Sequence, residues 1–378
     1  MSLREKRVIR VNRRDFLKAL GAASLFAAVN GRGMSSWNNT SEPFEFLVIG
    51  DSLIWGQGLP EADKFYTLTE DWLRKEVFRG TREVALTVKA HSGATIRFDP
   101  KEATKYRASG KDESSYYPGE VNVSTPSMFK QVEMAADDHK KRGVARGADL
   151  VMLTAGITDI AVEGVLDPFG DIKKLELFIA EVCRGRVGSL LENIAQNNPD
   201  ALIAVVGYYP ILSENSSSSK VFNAWLETLN VPSFIQGLLN NPVMRPIVFS
   251  KLLKRAIKRS RLWISESDRN FRAAIADHNA KVGREQAIFI KAPLTEENVV
   301  ESPKTMLFRM RKDGTVEDPL YAQRKIECKV ALDELKRTTG VKYSPKRCSY
   351  AAVGHPDKAG AKLYAEAITR ELRPFLVS

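Results

Sequence analysis

Histidine is scarce in this 378-residue chain, with four copies and no His-Glu-x-x-His among them. That scarcity argues against a catalytic metal centre, whose ligands are mostly imidazoles at helical spacing. Cysteine is nearly as rare, with three residues, none at zinc-finger spacing. Neither a helix-turn-helix signal nor an alternation of aromatic and basic residues is visible, which argues against nucleic acid as a partner. Long apolar runs are also missing. The best of them, Ala19 to Val29, falls short of the roughly 20 residues that a membrane span needs. Acidic residues are outnumbered, 46 Asp/Glu against 57 Lys/Arg, for a formal charge of +11. Residues 1–33 hold eight Lys/Arg and two Asp/Glu and so carry +6 of it, leaving about +5 on the remainder. A mild excess of that size is not a polyanion-binding signature.

The N-terminus itself carries information. Asn12-Arg13-Arg14-Asp15-Phe16-Leu17-Lys18 followed by a short, mildly apolar stretch resembles a twin-arginine export signal. The resemblance implies a leader at 1–33, a periplasmic or secreted destination and a mature protein from residue 34 onward. Cleavage is expected between Ala28 and Ser36.

What is present begins with Phe44-Glu45-Phe46-Leu47-Val48-Ile49, a buried parallel strand by its pattern, and the Gly50-Asp51-Ser52-Leu53 that follows it. A glycine at a strand end permits a sharp turn. Ser52 would then stand at the carboxyl edge of the sheet, where open α/β sheets place their ligands. Near the other end, Gly354-His355-Pro356-Asp357 leads into the amphipathic segment 361–368 and puts His355 on a loop at a helix start. A neutral imidazole is the usual base for activating a serine hydroxyl.

Together these blocks resemble the SGNH (GDSL) hydrolase family, over a stretch from about Phe44 to the C-terminus. Gly50-Asp51-Ser52-Leu53 corresponds to its first block, Gly93 after Val84–Val88 to its second, Gly156-Ile157-Thr158-Asp159 to its third, and Ala352-Val353-Gly354-His355-Pro356 to its last. The resemblance implies Ser52 as nucleophile and His355 as base. It also implies an oxyanion hole from the Ser52 and Gly93 N–H groups and the Thr158 side chain, and no cofactor. There are two departures. Thr158 stands where the family has its oxyanion Asn, and Ala352 stands where it has the acid that orients the histidine. A Ser–His dyad with a backbone carbonyl as orienter is the expected arrangement.

The family fold is a three-layer α/β/α sandwich around a mainly parallel five-stranded sheet. Strands are expected near 83–90, 148–155, 201–208 and 287–290 in addition to the first. Helices are expected over 62–78, 126–141, to about 196, and 268–282, with 97–125 as a long polar loop. An insertion at about 211–267 opens on a flexible Ser-rich link, carries apolar residues from Trp225 to Leu239, and ends on a basic helix. Residues 251–261 of that helix hold six cations and no acid. Two readings of it stand side by side: a surface helix with solvated charges, or a lid touching an anionic membrane surface. Cys328 and Cys348 are expected to form a disulfide, closing a loop of about 20 residues worth roughly 3 kcal/mol. The alternative is three unpaired core cysteines, and Cys183 reads as a buried free thiol.

The function expected is ester hydrolysis, on lipid acyl esters by the weight of the basic apolar insertion. The alternatives are an acetyl esterase acting on carbohydrate and an exported binding protein that kept the fold without turnover. The sequence is silent on oligomeric state.

Overall fold

The computed structural model describes residues 42–115, 117–217 and 244–377, with backbone alone for 244–246. The expected leader at 1–33 and the apolar residues from Trp225 to Leu239 lie outside the described residues.

Five strands build the sheet: β1 Phe44–Gly50, β2 Val84–Val88, β3 Leu150–Thr154, β4 Leu202–Val206 and β5 Ala287–Ile290. Their order is β2-β1-β3-β4-β5, and every neighbouring pair is parallel. β1, β3 and β4 are buried along their whole length. Strands covered on both faces need apolar side chains at every position, which is why these read as unbroken runs.

The chain moves one way from β1 to β2 and then crosses back over β1 to β3. Right-handed crossovers in opposite directions put their helices on opposite faces. Helix 65–72 therefore lies on one face, and helices 128–141, 172–197 and 244–282 lie on the other. The packing agrees. Residues 65–72 meet the C-terminal helix 358–376, residues 128–141 meet 187–197, and residues 172–197 meet 244–282. The reversal leaves a crevice at the carboxyl ends of β1 and β3, the usual ligand position in such sheets. The three-layer expectation agrees with this architecture, and the sheet is wholly parallel.

Several local expectations need correction. Residues 97–125 are not one loop. Asp99 caps a helix at Pro100–Ala108 through Lys101 N and Glu102 N, a Pro-at-N1 start that the polar composition concealed. Tyr106, Tyr117, Val121 and Val123 from this stretch are buried with Cys328, Leu332, Leu335, Val341 and Cys348 in a satellite core. Cys328 and Cys348 form the disulfide in that core, and Cys183 is a buried free thiol.

The described part of the Ser-rich link is tied down. Ser213 Oγ donates to Glu296 O at 2.7 Å, Ser216 Oγ to Val300 O at 2.8 Å, and Ser217 N to Glu301 O at 2.9 Å. Residues 244–282 form one helix, so residue 267 lies within an element and marks no break. Leu252, Leu253, Ala256 and Ile257 of its basic stretch are buried. Arg259 is buried too, donating to Val165 O, Gly164 O and Gly170 O at 2.8–2.9 Å. Arg261 is held by Glu214 and Glu296. Five of the six cations, Lys251, Lys254, Arg255, Lys258 and the paired Arg261, are exposed. Among the described residues, no helix is long and apolar enough to cross a membrane.

Candidate active site

The last residue of β1, Gly50, has φ +132°, and a Cβ there would lie 2.4 Å from Thr154 O on β3. Only glycine fits. Gln131, on helix 128–141, grips the same residue from the far side, accepting from Gly50 N at 2.7 Å and donating to Gly50 O at 3.1 Å. The chain then turns into a single helical turn, Ser52–Trp55.

Asp51 caps that turn and is fully buried. Its carboxylate accepts from Leu53 N at 3.0 Å, from Thr154 Oγ1 at 2.7 Å and from the Tyr208 hydroxyl. Burial pushes its pKa up against the pull of those donors. Asp51 is thereby a brace beneath the turn. Ser52, at the first helical position, has a backbone N–H that donates to no acceptor among the described residues.

His355 arrives on a loop strapped to segment 306–308. Gly354 N donates to Phe308 O at 2.9 Å, Phe308 N to His355 O at 2.8 Å, and Asp357 N to Met306 O at 2.9 Å. Tyr209 Oη adds a 2.6 Å bond to Gly354 O. Asp357 caps the C-terminal helix through Ala359 N and Gly360 N, so its charge is spent there. The result is a contact of 2.8 Å between His355 Nε2 and Ser52 Oγ, across 303 positions of chain.

No acid completes the pair. His355 Nδ1 has no hydrogen-bond partner among the described residues, although the carbonyls of Ala351, Ala352 and Val353 lie close enough to favour the protonated ring. Loss of surrounding water, with the Arg324 guanidinium as a second cause, lowers the pKa of His355 to about 4. Arg324 is itself fully buried, bonded to Asp318 at 2.6 Å and to Glu120 at 2.9 Å. The charge acting on His355 from Arg324 is thus opposite in sign to that of a triad acid.

Gly93 follows β2 and, like Ser52, has a backbone N–H with no acceptor among the described residues. Thr158 lies in the short turn after β3. Its hydroxyl donates to Ala94 O at 2.6 Å, and Asp159 beside it accepts from Ile96 N at 3.0 Å and from Arg186 at 3.2 Å. Burial pushes Asp159 up to about 6 despite those partners. The Gly156–Asp159 turn therefore clamps the loop that carries Gly93. His91 is a brace as well, buried with its ring nitrogens 3.0 and 3.1 Å from Ser92 O and Tyr117 O.

Sequence reasoning missed Glu120. Its carboxylate accepts from Trp55 Nε1 at 2.9 Å, Gln57 Nε2 at 2.9 Å, Gly58 N at 3.2 Å and Arg324 at 2.9 Å. It ties the stretch after the nucleophile turn to the helix bearing Cys328. No spacing rule singles out such a residue, because its partners come from distant segments. Among the described residues, no cluster of three or more His, Cys, Asp or Glu could hold a metal ion.

No family model and no curated protein matches the chain. Among solved structures, an extracellular lipase from Streptomyces rimosus is similar over 86% of this chain and 99% of its own, at 12% identity and a TM-score of 0.43. A phospholipase A1 from Streptomyces albidoflavus is similar over 87% and 99%, at 12% identity and 0.40. A family 3 carbohydrate esterase from Clostridium thermocellum is similar over 89% and 98%, at 13% identity and 0.36. These likenesses are too distant to carry a substrate from one chain to another.

Proposed function

We propose that the chain is an exported serine esterase that hydrolyses carboxylic esters through a Ser52–His355 dyad. The observation that carries the reading is the 2.8 Å contact between Ser52 Oγ and His355 Nε2. That distance is within reach for proton transfer from nucleophile to base. For Nε2 to accept, the ring proton sits on Nδ1. Ser52 Oγ attacks the ester carbonyl as its proton passes to Nε2. The oxyanion is met by the Ser52 and Gly93 N–H groups. The imidazolium then gives its proton to the departing alcohol. Water attacks the acyl-enzyme, returning its own proton through Nε2 and releasing the acid and free Ser52.

A fluorophosphonate probe tests this directly. The wild type should carry the label on Ser52, and Ser52→Ala should carry none. An unlabelled wild type leaves the binding-protein reading, which the departures at Ala352 and Thr158 favour. Substrate class follows from a chain-length series of p-nitrophenyl esters. Preference for long acyl chains marks a lipase, and cleavage of acetate alone marks a deacetylase of carbohydrate. The basic helix favours the lipid class through its exposed cations only, since its apolar stripe faces inward.

The depressed base predicts an unusual pH profile. The acid limb of kcat/KM reports the base in the free enzyme, so it should fall near pH 4, well below the roughly 6.5 of an unperturbed imidazole. His355 then stays neutral, and active, as pH falls towards 4, and the rate drops once it protonates below that. Ala352→Asp restores the acid at the position where the family resemblance has it, and should move the limb up by about one unit or more while raising kcat. A wild-type limb at 6.5 or above contradicts the proposed environment of the base.

A further inference from the structure

The His355 ring bonds to Ser52 Oγ through Nε2, and its Nδ1 is buried without a partner among the described residues. No bond on the far side of the ring fixes its direction, so the loop that carries it must. We infer that Arg324 is a positioning residue that locks the segment bearing His355 to the segment that follows Ser52. This inference rests on the esterase reading of Ser52 and His355.

Arg324 lies on helix 321–339 and is fully buried. Its guanidinium serves three acceptor groups. Nε donates to Ser349 O at 3.1 Å, and Nη1 donates to Glu120 at 2.9 Å. Nη1 and Nη2 also donate to the two oxygens of Asp318, at 2.9 and 2.6 Å. Ser349 stands six residues before His355. The chain between them is tightly wound. Ala351 N donates to Cys348 O at 3.1 Å, Val353 N to Tyr350 O at 2.9 Å and His355 N to Ala352 O at 2.9 Å. A shift at Ser349 is therefore passed on to the imidazole.

The other end of the link is the nucleophile turn. Glu120 accepts from Trp55 Nε1, Gln57 Nε2 and Gly58 N, all just beyond Ser52. Gly58 also touches the histidine loop. A Cβ built on it would come 2.8 Å from Ala352 Cβ and 3.0 Å from Asp318 Cβ. Gln57, Glu120, Asp318 and Ser349 are buried like Arg324, where hydrogen bonds are strong and side chains have little room to move. Cys328, one helical turn after Arg324, is bonded to Cys348, a second tie between the same two elements. A planar guanidinium with five N–H donors can hold three acceptor groups at once. An ammonium on a flexible stem cannot reproduce that fork.

Three variants test the assignment: Arg324→Lys, Arg324→Gln and Glu120→Gln, each assayed where circular dichroism shows it folded. Arg324→Lys keeps the positive charge and gives up the fork. It should lower kcat on p-nitrophenyl esters about 10²-fold, the cost of a small misplacement of reacting groups. KM should change by no more than about threefold. Its acid limb should stay near pH 4, because the charge that helps depress His355 is retained. Arg324→Gln removes that charge as well, so its limb should rise by about one unit or more. Glu120→Gln keeps more of the packing and weakens the link at its other end, and should lose about tenfold in kcat.

A role confined to stability would lower the melting temperature and leave kcat of the folded protein within about threefold of wild type. That result in Arg324→Lys overturns the inference. If Arg324→Lys does not fold, Glu120→Gln decides: an unchanged kcat overturns the inference, and a tenfold loss at unchanged KM supports it. In each of these outcomes the Ser52–His355 reading stands. A wild type with no Ser52-dependent turnover overturns that reading, and the inference falls with it.

Discussion

Ser52→Ala is expected to lower kcat on p-nitrophenyl esters by about 10⁴–10⁶ while the protein stays folded. The loss is large because no neighbouring group replaces the hydroxyl. Asp51 faces Leu53, Thr154 and Tyr208, and the Thr158 hydroxyl faces Ala94. The effect on stability is small, since the Oγ contact with His355 is one hydrogen bond, worth about 1 kcal/mol. Nucleophile and base act as a unit, so His355→Ala should lose a comparable factor and the double variant little more. Residual activity above about 1% of wild type in Ser52→Ala would remove Ser52 from the chemistry.

Glu120→Ala is expected to be the most destabilising single change at the site. Glu120 is 5% exposed and serves four donors, one of them the fully buried Arg324. Truncation leaves Trp55 Nε1, Gln57 Nε2 and Gly58 N without that acceptor, and leaves Arg324 with Asp318 as its carboxylate partner and Ser349 O as a neutral acceptor. Removing one partner of a buried ion pair costs about 3–5 kcal/mol. For a domain of this size that corresponds to a melting temperature lower by roughly 10 °C. Differential scanning calorimetry on the full chain checks it. Glu120→Gln keeps the volume and one acceptor oxygen and should cost less. A drop of under about 2 °C in Glu120→Ala would mean the network is dispensable for the fold.

Legibility in the sequence followed sequence distance and burial. β1, β3 and β4 could be read because strands covered on both faces are apolar at every position. Ser52 and His355 could be read because each sits just beyond an element with a strong local pattern. The disulfide was legible from the placement of Cys328 and Cys348 around the approach to His355. What stayed hidden was polar and long-range. Glu120 lies in a stretch whose composition looks solvated, yet its partners in space come from residues 55–58 and 324. Arg259 looked like one of six surface cations, and three carbonyls between residues 164 and 170 take it inside. The Pro100–Ala108 helix was missed because Tyr106 is its one buried residue, so it shows no apolar periodicity, and only the Asp99 cap announces it. The helix Met244–Val282 runs through residue 267, where the sequence reads as the end of an insertion and the start of a separate helix.

If Ser52 and His355 act as proposed, the nucleophile enters with the first strand and the base with the loop before helix 358–376. Synthesis therefore delivers the hydroxyl about three hundred residues ahead of the imidazole. A nascent or truncated polypeptide ending before position 355 is chemically silent, however well its sheet has formed. Catalytic competence becomes a property of the finished molecule alone. On the proposed chemistry, a premature stop or a clipped C-terminus gives an inert product and not a weakened one.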